Sequence, residues 1–171
     1  MMTNISIDAV DAFVFDFDGV LTNNLVHLDH EGKEWVSCSR ADGLAFDVLR
    51  KLNKPTFILS TEKNPVVTAR ANKLKVEVLQ GIDNKVDALK KLVKENDLEL
   101  KKTLYVGNDL NDFHVMKICG YSICPSDSHE RIKNISAVIL ETSGGNGVIR
   151  ELLEDVLGLD FIEILYSERG K

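Results

Sequence analysis

Six short apolar runs recur along this chain, and the stretches between them repeat with the period of about 3.6 residues expected of amphipathic helices. The runs are Ala12–Phe15, Thr56–Leu59, 76–79, Thr103–Val106, Tyr121–Cys124 and 137–140. Strands alternating with helices leave one economical solution, a doubly wound, mostly parallel α/β sheet with helices on both faces. Ala12–Phe15 is apolar at every position, as a central parallel strand buried on both sides must be. The chain has 171 residues and shows no repeat and no low-complexity linker, so a single domain over 1–171 is expected.

The first run ends in Asp16-Phe17-Asp18-Gly19. A buried strand has no structural use for acids, but open α/β sheets bind ligands at the carboxyl ends of their strands. A period of two puts Asp16 and Asp18 on one side of the chain and turns Phe17 into the core. Two carboxylates so close resist ionising together unless a cation lies between them. Oxygen ligands of this kind suit Mg²⁺. The chemical reading is a metal-bound Asp nucleophile with a second Asp as proton carrier. The bland reading is a solvated turn, because Asp and Gly are common turn formers.

Polar groups recur at later strand ends. Ser60 follows Thr56–Leu59 and is placed to bind a phosphoryl oxygen, with Asn64 and Pro65 opening the next helix. Lys85 falls in the first turn of a helix, where the dipole disfavours a cation unless an anion lies nearby. Thr103–Val106 runs into Gly107-Asn108-Asp109-Leu110-Asn111-Asp112, and Gly144-Gly145-Asn146-Gly147 precedes the last long helix in a form that suits an anion. Gly120 is expected as the C′ glycine of the helix before it.

Between the first strand and its helix, residues 24–38 read as a β-hairpin with a Gly-bearing turn at His30-Glu31-Gly32-Lys33. Its apolar Val26, Leu28, Trp35 and Val36 need something to pack on. The helix that follows carries Asp42 in its first turn, where an acid suits the dipole. Arg40, just before it, is a charge within reach of the strand-end site. A tail at about 158–171 begins apolar and ends charged; its apolar part is expected to pack and its last residues to fray.

Composition narrows the partners. The net charge is −6 with no basic stretch, which argues against nucleic acid. No apolar run approaches the ~20 residues of a membrane span, and the N-terminus lacks the layout of a signal peptide. Three cysteines, an odd number without metal-like spacing, are expected to be reduced thiols in a cytoplasmic protein.

The order and spacing of Asp16/Asp18, Ser60, Lys85 and Asn108/Asp109 resemble motifs I to IV of the haloacid dehalogenase superfamily of phosphatases. The string Asp-Phe-Asp-Gly-Val-Leu-Thr, the inserted hairpin, Gly81-x-x-x-Lys85, Gly107–Asp112 and Gly144–Gly147 together resemble the 3-deoxy-D-manno-octulosonate 8-phosphate phosphatase family. Within it, Ser60-Thr61-Glu62-Lys63 and Asn72–Val76 look most like the branch acting on nonulosonate (sialic acid-type) 9-phosphates.

The resemblance implies a capless, Mg²⁺-dependent phosphatase of a sugar acid phosphate. It also implies a homotetramer whose hairpins assemble together and whose neighbouring subunits close the sites. Asp16 would be the nucleophile, and Asp18 the general acid and base, with its main-chain carbonyl on the metal. Ser60 and Lys85 would hold the phosphoryl group, and Asn108 or Asp109 would complete the metal ligands. Thr61 and Gly145 are expected near substrate. Glu62 would take its hydroxyls, and Lys73, with Arg70 or Arg40, its carboxylate. Two departures stand out: Asn108 replaces the usual acid after the glycine, and Ala41 stands where the octulosonate branch typically has Arg. Alternatives are an octulosonate 8-phosphate phosphatase, or a weakly active platform for an acylneuraminate cytidylyltransferase.

Overall fold

The computed structural model describes residues 5–167. The expected fraying of the last residues concerns positions outside this range.

The strands of the main sheet are β1 (Ala12–Phe15), β4 (Thr56–Leu59), β5 (Glu77–Leu79), β6 (Thr103–Val106), β7 (Tyr121–Cys124) and β8 (Val138–Ile139). All of them pair in parallel, in the order β5-β4-β1-β6-β7-β8. The helices are α1 (Arg40–Lys51), α2 (Val66–Leu74), α3 (Lys85–Glu95), α4 (Phe113–Ile118), α5 (Glu130–Lys133), α6 (Val148–Glu151) and α7 (Phe161–Tyr166). Helix α6 continues into a wider turn at Leu152–Val156.

The central strand shows why two layers of helix form. Phe13 and Phe15 pack on one face with α1, α2, α6 and α7. Ala12 and Val14 pack on the other with α3, α4 and α5. Each Phe is fully buried, which stabilises the fold by roughly 2–3 kcal/mol per side chain. Strand order reverses at β1: the chain first moves outward to β4 and β5, then returns to β6 on the other side. Right-handed crossovers then place α1 and α2, before the reversal, on one face and α3 to α5, after it, on the other, and open a crevice between β1 and β6 at their carboxyl ends. Asp16 continues the parity of Ala12 and Val14, so it faces the α3/α4 side.

The predicted hairpin forms in shortened shape. His27–Leu28 (β2) pairs with Glu34–Trp35 (β3), and an isolated bridge joins Thr22 to Cys38 at its base. Asp29 closes the turn, accepting the N–H groups of Glu31 and Lys33 at 2.9 Å each. The rings of His27 and Trp35 stack with centroids 5.7 Å apart.

Gly120 differs from its expected role. It is not left-handed; a Cβ there would lie 1.8 Å from the carbonyl oxygen of Lys101, so close backbone approach is what requires glycine. The three cysteines are free, as expected. Leu159, Phe161, Ile164 and Leu165 of the tail pack on the core. Among the described residues no helix is long and apolar enough to cross a membrane.

Candidate active site

A cleft of about 360 Å³ opens at the β1/β6 crevice, lined by Asp16, Asp18, Asn24, Ser60, Thr61 and Asn108 with 109–111 beside them. Three strand ends and one helix start supply its chemistry. Asp16 extends β1, its N–H bonded to the carbonyl of Val106 at 2.9 Å. Ser60 extends β4, its N–H bonded to Leu79 at 2.9 Å. Asn108 follows β6. Lys85 is the first residue of α3, whose cap is Asn84.

Lys85 accounts for its own unfavourable place on the dipole. Its Nζ lies 2.8 Å from Asp16 Oδ1 and 2.7 Å from Asp112 Oδ1, with all three side chains buried. Burial pulls the ammonium toward neutrality, but the two carboxylates together outweigh it and raise its pKa. Burial and then the Asp112 charge push the Asp16 carboxyl up, opposed by Lys85 and by the N–H of Phe17 at 2.8 Å. A divalent cation on Asp16 reverses that balance, because an opposite charge favours the ionised form.

Asp18 is half-buried, and burial raises its carboxyl as well. The Thr22 hydroxyl donates to Asp18 Oδ1 at 3.3 Å while accepting the N–H of Gly19 at 3.2 Å and of Asn24 at 3.1 Å. One threonine therefore ties the second aspartate to the turn that enters the hairpin. Gly19 adopts φ +81°, and a Cβ there would fall 1.9 Å from Asn108 Nδ2. Glycine is required both for the turn and for the approach of Asn108.

Asp112 is a residue of the candidate site that the sequence reading passed over. It is fully buried, and its Oδ1 accepts from Lys85 and from Tyr105 Oη at 2.8 Å. Its Oδ2 accepts the N–H of Asn108 at 2.9 Å and, more weakly, of Asp109 at 3.4 Å. One carboxylate thus positions the lysine and the Asn108 turn together. The available signal was the second acid of Gly107–Asp112, set where the 3₁₀ turn Leu110–Asp112 brings it back under β6.

Of the expected substrate groups, Thr61 lines the cleft and Glu62 lies near Asp18, while Lys73, Arg70, Arg40 and Gly145 do not line it. Glu62 Oε1 accepts the N–H groups of Lys63 and Asn64 at 2.6 and 2.7 Å, so it braces its own turn. Lys73 occupies the last turn of α2 and is exposed; α2 starts at the site and runs away from it for about 13 Å. Arg70, midway along α2, donates to the carbonyl of Ser39 at 2.8 Å, and Arg40 is exposed outside the cleft. Gly145 spends its N–H on the Val20 carbonyl at 3.0 Å. A Cβ there would meet Asn23 N at 2.5 Å, so the glycine loop clamps the turn after Asp18 instead of lining the cleft. Asp109 is exposed, and its Oδ1 caps Leu110 N at 2.7 Å.

Among the described residues no cluster of three His, Cys, Asp or Glu side chains offers a metal site. The cleft offers oxygen donors of another composition. Asn108 Oδ1 is buried without a hydrogen-bond partner. An unsatisfied oxygen on a residue that shares the cleft with Asp16 fits an oxygen-ligated cation such as Mg²⁺.

A strand-end carboxylate gripped by a buried lysine, at the switch point of a parallel sheet, forms a site that can bind an anionic ligand and offer it a nucleophile. Comparison with known proteins narrows the class. A profile of haloacid dehalogenase-like hydrolases matches residues 51–152. The 3-deoxy-D-manno-octulosonate 8-phosphate phosphatase of Haemophilus influenzae is 30% identical over 145 residues, spanning 84% of this chain and 81% of that protein. A crystal structure from Streptomyces avermitilis, described as a HAD family hydrolase, superposes with a TM-score of 0.90 at 40% identity, covering 94% and 92% of the two chains. The 3-deoxy-D-manno-octulosonate 8-phosphate phosphatase of Moraxella catarrhalis, solved with magnesium, phosphate and KDO, gives 0.84 at 30% identity, covering 88% and 87%. The chain belongs to the haloacid dehalogenase-like hydrolases.

Proposed function

We propose that this protein is a divalent-metal-dependent phosphatase of a 2-keto-3-deoxy sugar acid phosphate. The observation that carries the reading is Asp16, buried at the end of β1 with one oxygen on Lys85 and its face toward the cleft. Asp16 attacks phosphorus and forms an aspartyl-phosphate. Asp18, oriented by Thr22, protonates the leaving sugar oxygen and then takes the proton of the attacking water. Ser60 and Lys85 receive the phosphoryl oxygens. Asp16, the Asp18 carbonyl and Asn108 would hold Mg²⁺, which would supply positive charge against the phosphoryl oxygens.

For the sugar, 3-deoxy-D-manno-octulosonate 8-phosphate has the greater support, because the relatives named for an activity are named for that one. The nonulosonate 9-phosphate reading keeps two sequence features: Ala41 in place of the octulosonate branch's Arg, and the Ser60–Lys63 string. It loses force because Glu62 braces a turn and Lys73 lies at the far end of α2. Exposed apolar side chains on the hairpin support a homotetramer with shared sites. A weakly active platform for a cytidylyltransferase is disfavoured by the assembled Asp16–Lys85–Asp112 set.

Phosphate release with Mg²⁺ from both sugar phosphates and an aryl phosphate tests the reading. Hydrolysis of a sugar acid phosphate, abolished by chelator and by Asp16→Asn, is expected. More than a few per cent of activity in Asp16→Asn sinks the nucleophile assignment.

A further inference from the structure

A second groove, of about 670 Å³, lies between the start of α3 and the exposed face of α4. It is continuous with the cleft, because Thr61, Leu110 and Asn111 line both. Lys85, which bridges Asp16 and Asp112, lines it too, so the groove begins where the phosphoryl group would sit. Asp83, His114 and Lys117 carry it away from that point.

The polar groups of this groove are unspent. Among the described residues, the side chains of Thr61, Asp83, Asn111, His114 and Lys117 make no hydrogen bond or ion pair with one another or with the rest of the chain. Around the cleft the opposite holds: Glu62 gives an oxygen to its own turn, Arg70 a donor to Ser39 and Gly145 its N–H to Val20. Lys85 shares its charge between two carboxylates, which leaves Lys117 as the cation of the groove without an acid at ion-pair distance. His114 and Lys117 stand three residues apart on α4, on one face and about 4.5 Å from each other along the axis. The Phe113 ring steadies both, meeting the His114 ring edge-on at 5.3 Å and lying 5.4 Å from Lys117 Nζ.

A sugar acid phosphate presents the matching series of groups: a phosphate at one end, hydroxyls on a carbon skeleton, and a carboxylate at the other end. We propose that the sugar acid part of the substrate lies in this groove, its carboxylate on Lys117 and its hydroxyls on Asp83 and His114. Leu110, Val86 and Ile118 supply apolar surface for the carbon skeleton. An ammonium is a point charge with three donors, an imidazole offers a donor or an acceptor at each nitrogen, and a carboxylate accepts from hydroxyls, so each contact has its complement. The proposal rests on the phosphatase reading above and names the residues that choose its substrate.

Steady-state kinetics with Mg²⁺ on 3-deoxy-D-manno-octulosonate 8-phosphate, a nonulosonate 9-phosphate and para-nitrophenyl phosphate test the proposal. Lys117→Met keeps the stem and removes the charge. On the better sugar acid phosphate its KM is expected to rise about tenfold or more while kcat stays within about threefold, the pattern of a lost ground-state contact to a charged group. That loss in kcat/KM should exceed the loss on the aryl phosphate by about tenfold, and Lys117→Arg should recover most of it. His114→Ala should show a smaller loss of the same kind. Binding gives a second readout: the dephosphorylated sugar acid should shift the His114 ring resonances, recognised by their absence from His114→Ala, and inorganic phosphate at the same concentration should not. Equal losses on sugar and aryl substrates, or His114 resonances that the sugar acid leaves in place, overturn the proposal while the phosphatase reading stands. A wild-type protein that hydrolyses neither sugar acid phosphate overturns the reading on which the proposal rests.

Discussion

The Asp42 carboxylate, in the first turn of α1, accepts the N–H of Ile149 at the start of α6, 107 residues along the chain, at 2.9 Å. The N–H of Arg150 adds a second bond at 3.1 Å to the same oxygen, while Oδ2 is buried without a partner. Asp42 thus caps a distant helix and fixes the glycine loop that clamps the turn after Asp18. Burial raises its pKa from 3.8 to about 6 against the pull of the two N–H groups. The folded protein therefore holds this proton more tightly than the unfolded chain. The Asp42 contribution to stability is full below 3.8 and is lost as pH rises through about 6. That amounts to ~3 kcal/mol at most. Asn keeps the accepting oxygen and cannot ionise, so the stability of Asp42→Asn relative to wild type should increase as pH rises across this window. Denaturant unfolding at several pH values measures the difference, and a difference independent of pH would refute the assignment.

Asp112 meets two donors on each oxygen, one of them only weakly. Asp112→Asn must turn an NH₂ toward two of those donors. It also leaves Lys85 with one carboxylate instead of two. Breaking a buried, charged network of this kind costs about 3–5 kcal/mol. Tyr105→Phe removes a single donor and should cost about 1–2 kcal/mol. Turnover should fall ten- to a hundredfold in Asp112→Asn, because Lys85 and the Asn108 turn lose their common support, and only slightly in Tyr105→Phe. Urea unfolding beside steady-state kinetics tests both. An Asp112→Asn protein as stable and as active as Tyr105→Phe would show that the carboxylate positions nothing.

Strand placement was legible because β1 must be buried on both faces, and few residue types permit that. The places of Asp16 and Lys85 at the cleft were legible for a related reason: each defies a local rule, an acid ending a buried strand and a cation at a helix start. Asp42 and Asp112 were not, since each obeys its local rule. Asp42 suits its helix dipole and Asp112 suits a turn, while their partners lie across the fold, where sequence spacing carries no information. Lys73 shows the opposite limit: a charge near a site in sequence looks available, yet the direction of α2 carries it away, while Glu62 gives one oxygen to its own turn and stays near Asp18.

The hairpin poses the last test. Leu25, Val26, Leu28 and Trp35 are 49–62% exposed in a hairpin whose strands pair over only two residues each. Such a ribbon is marginal alone and gains little from the rest of its own chain, so its persistence calls for a cover. Burying the four side chains further would contribute on the order of 1–2 kcal/mol each. They supply only part of the ~800 Å² per partner that a stable interface buries, so contact must spread beyond the ribbon. Four copies meeting at their hairpins would meet both needs, and the proposed shared site would set each ribbon beside the mouth of a neighbouring cleft, whose wall in this chain includes Asn24. Sedimentation should show a tetramer at micromolar concentration. Val26→Glu with Leu28→Glu should yield a folded monomer, its circular dichroism unchanged because neither side chain belongs to the core. Activity should fall with assembly, chiefly through a weaker KM, since the strand-end acids stay in place while the wall contributed by the neighbour is lost. A wild-type protein that sediments as a monomer with full activity would remove the hairpin from both assembly and catalysis.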